Sequence, residues 1–333
     1  MRAARSLLAA LIVTLAVAAP AAASPRGGAG GGIGLRLLDA PITARNDPRA
    51  QVYIVDHLPP GTVIHRRIEV SNATDSAARV LLYPAAATIS GGSFLGAAGH
   101  TPNDLSTWTS LSPPVADLPA AGRMSATVTI AVPSDAAPGE QYGVVWAEAR
   151  SPESAGGIVQ VSRVGIRLYI SVGPGGAPAA DFTIDSLTAE RSADGRPMVL
   201  ATVHNTGGRA LDMSGTLELL AGPGQLTAGP FPATLGTTLA IGDTESVVIV
   251  LDPQLPAGPW DAVITLHSGL VEHSARATIT FPATGASAPV PTTPSLPGWL
   301  YPAVVGLVVL ALLGLAGSIL ARKWPRRRAA AIR

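Results

Sequence analysis

Hydrophobic and polar residues alternate with a period of two along most of the chain. In the stretch 125–132, SATVTIAV, one face carries Ala126, Val128, Ile130 and Val132. In the stretch 158–172, IVQVSRVGIRLYISV, the even positions are mainly apolar, and the opposite face carries Arg163, Arg167 and Ser171. Turn-forming residues interrupt the pattern about every ten residues, which predicts antiparallel β-sandwiches. No amphipathic helix is predicted before residue 299.

The second patterned region repeats the first. TVTIAVPSDAAPGEQYGVV aligns without a gap on VVIVLDPQLPAGPWDAVI when Gly139 is placed on Gly258. Upstream, Asn72 and Asn205 fall in equivalent turns. The triplet that begins at Asn72 is open to three interpretations: a glycan acceptor, a turn or part of a binding site. We predict a turn, because an asparagine side chain can hydrogen-bond its own turn.

The predicted fold is all-β, with two tandem immunoglobulin-like antiparallel β-sandwiches followed by one transmembrane helix. The sandwiches are assigned to residues 33–173 and 181–282. Three flexible segments flank them, namely a Gly-rich leader at 24–32, a linker at 174–180 and a Pro/Thr/Ser-rich stalk at 283–298. A stalk of this composition is expected to be extended and to lift the sandwiches off the membrane.

Both ends of the chain predict export and anchoring. Residues 1–23 have the order of a signal peptide, with cleavage predicted between Ala23 and Ser24. Residues 299–321 carry no charge and are long enough to span a bilayer, and a basic tail follows at 322–333. The positive-inside rule places this tail in the cytoplasm and the sandwiches outside the cell.

Composition narrows the possible partners. Residues 24–298 contain 15 basic and 22 acidic residues, a net charge of −7. This region therefore lacks the basic surface that nucleic acids or anionic wall polymers require. The chain has no cysteine, so the sandwiches depend on their cores for stability. A single lysine, Lys323, among many Arg, Ala, Pro and Gly residues fits a bacterial coding bias.

Two stretches of the first predicted sandwich resemble a known family. They are PRAQVYIVDHLPPGTVIHRRIEVSNATDSAARVLLYP and LPAAGRMSATVTIAVPSDAAPGEQYGVVWAEA. Both are similar to the N-terminal, peptidoglycan-binding, immunoglobulin-like domain of WxL-interacting proteins. The resemblance covers roughly residues 33–172 at motif level. The chain contains no Trp-x-Leu triplet, so it resembles the interacting partner rather than a WxL protein.

The resemblance implies a function in anchoring surface complexes. The first domain would bind peptidoglycan, and the second would bind a surface or partner protein, possibly of the WxL type. The second domain also looks like generic adhesion-type sandwiches. The alternative is a structural spacer or assembly subunit without affinity for glycans.

The sequence shows no catalytic motif, and we predict a protein that is not an enzyme and has no cofactor. The weakest alternative is a metal site at the stretch HSGLVEH, where His267, Glu272 and His273 flank a predicted hairpin. A second alternative is the stretch FPATG at 281–285, which approximates a sortase signal. Sortase cleavage would fall between Thr284 and Gly285.

Two tryptophans are candidate ligand contacts, because carbohydrates bind exposed aromatic rings. Trp108 lies in a long polar loop and could contact a ligand or cover one end of the sandwich. Trp146 shares a face with Val144 and Glu148, and the sequence leaves open which face is inward. An edge strand could also pair with a strand of a partner.

Overall fold

The computed structural model describes residues 32–151, 156–157 and 159–295, and these residues form two β-sandwiches joined by a short linker. The predicted signal peptide, most of the leader, the span at 299–321 and the basic tail lie outside the described residues. Within the described part, no helix is long and apolar enough to cross a membrane.

The first sandwich contains two short helices, α1 (Pro48–Val52) and α2 (Asp104–Trp108). Its strands are β1 (Ile33–Leu37), β2 (Ile54–Leu58), β3 (Val63–Asn72), β4 (Ala78–Ser90), β5 (Ser93–Gly96), β6 (Thr109–Ser112), β7 (Val115–Leu118), β8 (Arg123–Ala131), β9 (Gly139–Arg150) and β10 (Val161–Val172). One sheet has the order β1-β3-β8-β6. The other has the order β2-β10-β9-β4-β5, with β7 paired to β4.

One strand pair departs from the predicted antiparallel arrangement. β2 runs parallel to β10, with Ile54 opposite Leu168, whereas β1 pairs antiparallel with β3. The chain crosses from one sheet to the other between β1 and β2 through α1, so this edge segment contributes a strand to each sheet. Neither helix was predicted from the sequence, because five residues are too few to show a helical period.

The period-two pattern places the first core as predicted. The apolar residues of β8 and the even positions of β10 from Ile166 onward are buried in one cluster with Val145 and Ala147 of β9. Side chains on alternate residues of a strand point to opposite faces. The outward face of β9 therefore carries Val144, Trp146 and Glu148.

The second sandwich repeats this two-sheet plan. Its strands are β11 (Phe182–Arg191), β12 (Pro197–Asn205), β13 (Leu211–Asp212), β14 (Ser214–Leu220), β15 (Ala228–Pro232), β16 (Thr238–Leu239), β17 (Thr244–Val250), β18 (Trp260–Ser268), β19 (Val271–Ile279), β20 (Gly285–Ala286), β21 (Val290–Pro291) and β22 (Thr293–Pro294). One sheet has the order β17-β12-β11, with β20 and β21 on β11. The other has the order β15-β14-β18-β19-β22, and β13 pairs with β16.

The two equivalent asparagines hold equivalent turns, as predicted. The side-chain amide of Asn72 donates to the carbonyl oxygens of Ser76, at 2.7 Å, and Pro119, at 3.0 Å. Asn205 donates in the same way to the carbonyls of Arg209 and Ala240, each at 2.9 Å. Both asparagines are buried, and these hydrogen bonds satisfy their side-chain amides. They are structural residues of the fold.

The predicted stalk is the largest difference between the sequence-based expectation and the structure. Residues 285–294 do not leave the sandwich but pair with its two edge strands, β11 and β19. Val290 packs against the core, and the backbone N–H of Ser287 donates to the carbonyl of Ala189 at 2.8 Å. The Pro-rich composition correctly predicts an extended chain, but it does not show that two unpaired strand edges are available to bind it.

Candidate functional site

A partly buried carboxylate at the junction of the two sandwiches, Asp212 of β13, is the centre of the candidate site; its side chain is 16% exposed. Its Oδ2 accepts a hydrogen bond from Nε of Arg49 at 2.9 Å. Its Oδ1 accepts from Nη1 of Arg167 at 2.7 Å and from the hydroxyl groups of Tyr169 and Thr238, each at 2.9 Å. Three of these donors belong to the first sandwich, so Asp212 joins the two domains.

Helix α1 positions Arg49 for this contact. The carboxylate of Asp47 caps the helix by accepting from the backbone N–H of Arg49 at 2.8 Å, and Arg49 follows the helical proline Pro48. The Arg49 side chain is 9% exposed, and its guanidinium carbon lies 4.6 Å from the centroid of the Tyr169 ring. Burial is the largest single influence on the pKa of Arg49 and lowers it, but the interactions with Asp212, Tyr169 and Glu140 together outweigh burial and raise the pKa.

Aromatic rings surround the ion pairs. Tyr53, Phe94 and Tyr142 each lie within 5.2 to 6.0 Å of the Tyr169 ring, measured between centroids. The guanidinium of Arg167 lies 4.8 Å from the ring of Phe94 and 5.2 Å from that of Tyr53. Arginine over aromatic faces adds cation–π attraction and excludes water, which strengthens the ion pairs around Asp212.

A second contact crosses the junction at Glu140. Its Oε2 accepts from the backbone N–H of Ala210 in the second sandwich and from the hydroxyl of Tyr142, each at 2.7 Å. Burial raises the pKa of the Glu140 carboxyl, although both hydrogen bonds favour the charged form. Burial also raises the pKa values of Tyr142 and Tyr169, so both phenols are neutral hydrogen-bond donors.

This arrangement is suited to fixing the orientation of two domains. The carboxylate of Asp212 has at least four donors, and a cleft of about 210 Å³ between the domains is open beside it. Val52 and Leu235 line this cleft and are 56% and 79% exposed. Ser214 and His267 also line this cleft, and Nε2 of His267 lies 2.9 Å from the Ser214 hydroxyl. Among the described residues no carboxylate hydrogen-bonds this imidazole, so the pair lacks the third group that orients the base in hydrolytic sites.

Trp108, a candidate ligand contact, is half-buried at the end of α2. Its side chain packs against the core of the first sandwich. Asn103 caps the helix, because its Oδ1 accepts from the backbone N–H of Ser106 at 3.0 Å and its own N–H donates to the Ser106 hydroxyl at 2.7 Å. The sequence left two interpretations open for Trp108, a ligand contact or a cover over one end of the sandwich. Its packing against the core favours the cover.

Trp146, the other candidate, lies on the outward face of β9. It is half-buried, and its indole N–H donates to the carbonyl of Ala97 at 2.9 Å. Gly165 lies directly opposite on β10, where a Cβ would lie 2.7 Å from the indole ring. The indole therefore lies against the backbone of β10 and ties the chain after β5 to the sheet. Arg163 is 5.7 Å from its centroid.

Glu148 lies two residues after Trp146 on the same face of β9, and its carboxylate is buried. Its Oε2 accepts from the Tyr83 hydroxyl at 2.6 Å and its Oε1 from Nε of Arg150 at 2.9 Å, while Nε of Arg163 lies 3.5 Å away. The hydrogen bond from Tyr83 lowers the pKa of the Glu148 carboxyl, and burial raises the pKa of Tyr83 to about 12. The ring of His100 stacks on that of Tyr83, with centroids 4.1 Å apart.

The hairpin that carries His267 and His273 forms as predicted, but the two imidazoles do not converge. His267 pairs with Glu272 and His273 with Leu266, so the two rings point to opposite faces of the sheet. Nε2 of His267 lies 2.9 Å from the Ser214 hydroxyl, and Nε2 of His273 lies 2.7 Å from Oδ1 of Asp181. Among the described residues, no group of three or more His, Asp or Glu side chains could hold a metal ion.

Of the possible sorting residues, Thr284 lies in an exposed bend and Gly285 is the exposed first residue of β20. Phe281, four residues before Gly285, is buried in the second core. Cleavage between Thr284 and Gly285 stays a prediction, as does signal cleavage between Ala23 and Ser24, which lies outside the described residues.

The sequence analysis missed the junction because its partners are far apart along the chain. Arg49 and Asp212 are separated by 163 residues, and Arg167 and Asp212 by 45. One signal was present in the sequence: Arg167 and Tyr169 are neighbours on the polar face of β10. An aromatic residue on a face assigned to solvent indicates that another element covers that face.

The similarities found to known proteins are all to solved structures. No family model matches the chain, and no curated protein matches it. A Salmonella enterica SafA pilin in complex with the SafB chaperone is 12% identical, with a TM-score of 0.39, over 80% of this chain and 97% of that chain. The Pseudomonas aeruginosa CupB2 chaperone is 11% identical, with a TM-score of 0.38, over 68% of this chain and 97% of its own. At these values, the activities of those proteins are not transferred to this chain.

Proposed function

We propose that the chain is a non-enzymatic, membrane-anchored scaffold of the bacterial cell surface. The first sandwich binds peptidoglycan, and the second binds a surface or partner protein. The observation that carries the proposal is the junction. Its ionisable side chains, centred on Asp212, contact one another across the boundary between the two domains. A scaffold needs this property, because a fixed angle between domains sets the distance between two bound partners.

Two sequence features support the location and the ligands. The resemblance of residues 33–172 to WxL-interacting proteins supports peptidoglycan as the ligand of the first sandwich. The uncharged stretch at 299–321, followed by a basic tail, supports anchoring by one helix with the sandwiches outside the cell.

The test is co-sedimentation of the ectodomain, residues 24–298, with purified peptidoglycan sacculi. The ectodomain is used intact, because separate fragments would leave Arg49 and Glu140 without their partners across the junction. We expect enrichment in the pellet over an unrelated two-domain β-protein of similar net charge. Equal sedimentation of the two proteins would reject peptidoglycan binding.

A second candidate function is an assembly subunit or spacer without affinity for glycans. The packing of both tryptophans favours it, since Trp108 packs against the first core and the indole of Trp146 lies against the backbone of β10. Chemical crosslinking of the full chain in membranes separates the two functions. Recovery of a crosslinked surface protein, with no binding to sacculi, would support the assembly subunit.

A further inference from the structure

The described chain ends on the flank of the second sandwich. β20 and β21 run antiparallel along β11, and the chain then crosses to β19, where Pro294 lies opposite Ala275. The backbone N–H of Ser295 donates to the carbonyl of Ser274 at 2.9 Å. Ser274 lies near the middle of β19, so Ser295 is at mid-height on the side of the sandwich and not at either end.

The length of the chain after Ser295 limits where a membrane can be. The predicted span begins at Trp299, and four residues reach at most about 14 Å when fully extended. From Ser274 to the end of β19 at Ile279, five residues cover about 17 Å at 3.3 Å per residue, and the loop 192–196 lies at that same end. The chain is too short to run back from Ser295 past the end of the sandwich.

We propose that the ectodomain lies on its side against the membrane, with the flank covered by residues 285–294 facing the lipid. The proposal deepens the proposed function and depends on membrane anchoring by residues 299–321. The second sandwich does not serve as a pedestal that raises the first away from the bilayer, because that arrangement needs the anchor to emerge beyond the far end of β19.

The chemistry of this flank fits a lipid surface. From Ala277 to Gly298 the chain has no charged residue, although residues 24–298 have a net charge of −7. The exposed side chains of the covering segment are small and neutral, namely Ala286, Ala288, Pro289, Pro291, Thr293 and Pro294. The covering segment itself therefore presents no charge to the anionic headgroups of a bacterial membrane, which would repel an acidic surface.

The junction extends this orientation to the first sandwich. Asp212 and Glu140 fix the first domain relative to the second, so the first domain is also held near the bilayer. Peptidoglycan that the first domain binds is then the layer next to the membrane.

Energy transfer from single sites to the membrane tests the proposal. The chain has no native cysteine, so each variant carries one label. Ala288→Cys marks the flank, Ala193→Cys the far end of the second sandwich and Ala77→Cys the far end of the first. The full chain is placed in phosphatidylcholine–phosphatidylglycerol vesicles that carry an acceptor lipid. A chain ending at residue 295 is the soluble control and is expected to show no transfer.

We expect the highest transfer at Ala288 and transfer at Ala193 and Ala77 equal within about a factor of two. In an end-on molecule, the strands of 9 to 13 residues in the two stacked sandwiches would place Ala77 roughly 60 Å or more from the lipid. High transfer at Ala193 with roughly tenfold less at Ala77 would therefore overturn the orientation and leave the anchor intact. No transfer at any of the three sites would overturn the anchor together with the orientation.

Discussion

Two carboxylates, Glu148 and Asp212, have the same kinds of partner but different positions in the molecule. Each accepts a hydrogen bond from a tyrosine hydroxyl and forms ion pairs with two arginines. All partners of Glu148 belong to the first sandwich, and the Arg150 side chain is 64% exposed. Asp212 instead faces Arg49, whose side chain is 9% exposed, in the other domain.

The two clusters differ in the cost of removing their charged groups from water, which their ion pairs must offset. A charged group that water can reach loses little when its partner is removed, whereas a buried charge without a partner is strongly unfavourable. Glu148 therefore stabilises one sheet surface. Arg49 keeps its partner Asp212 only while the two sandwiches are associated.

Replacement of Asp212 by alanine is expected to have the largest effect. The change leaves the buried guanidinium of Arg49 without its main partner, which costs about 3–5 kcal/mol of stability. The two sandwiches then unfold in separate calorimetric transitions, and the radius of gyration from X-ray scattering increases. Asp212→Asn is the matched control, because it keeps the shape and removes the charge. A single, unshifted transition in Asp212→Ala would contradict the function assigned to the junction.

Replacement of Glu148 by glutamine tests the other half of the comparison. We expect a loss of about 1–2 kcal/mol, because Arg150 and Arg163 retain contact with water when their partner becomes neutral. The radius of gyration should not change, since no partner of Glu148 crosses the junction. An expanded molecule would show that the two clusters are coupled through β9 and β10.

The inside of each sandwich could be predicted from the sequence, and the contacts between them could not. Alternation along β8 and β10 identifies the residues that face the core, because the side-chain period of a strand is two. The Asn72 and Asn205 turns were predictable for a similar reason, since each side chain bonds a carbonyl four residues later in its own turn; the second bond of each, to Pro119 and Ala240, was not. Asp212 and Arg49 are 163 residues apart in the chain, and nothing in the sequence around either residue indicates that their side chains meet. The same limitation explains residues 285–294, whose composition resembles a free stalk.

The two tyrosines allow a smaller and more selective comparison. Tyr169→Phe and Tyr83→Phe each remove one hydroxyl and keep the ring, and each is expected to cost about 1 kcal/mol. Tyr169→Phe should also weaken coupling between the domains, and this is measured by a double-mutant cycle with Arg167→Ala. Tyr83→Phe should show no coupling energy with Arg167→Ala. Equal coupling in both cycles would contradict the separation of the two clusters.

The smallest expected effect is the dependence of stability on pH, where two glutamates of β9, Glu140 and Glu148, act with opposite sign. The pKa of Glu148 is lowered below its ordinary value of 4.5, mainly by the Tyr83 hydrogen bond. Its contribution to stability is therefore present above 4.5 and is lost as the pH falls through the pKa of the folded state. Burial raises the pKa of Glu140 above 4.5. Its contribution is present below 4.5 and is lost as the pH rises through the folded-state pKa.

Urea unfolding of Glu148→Gln and Glu140→Gln from about pH 3 to about pH 7 separates these effects. Glu148→Gln should reduce the loss of stability below pH 4.5, and Glu140→Gln should reduce the decline above it. Glu140→Gln is the more informative variant, because Glu140 accepts a hydrogen bond from Ala210 across the junction, whereas Glu148 has no contact there. If only Glu140→Gln changes the pH at which the radius of gyration increases, the junction and the outward cluster titrate independently. If both variants change it, the outward face of the first sandwich contributes to holding the domains together.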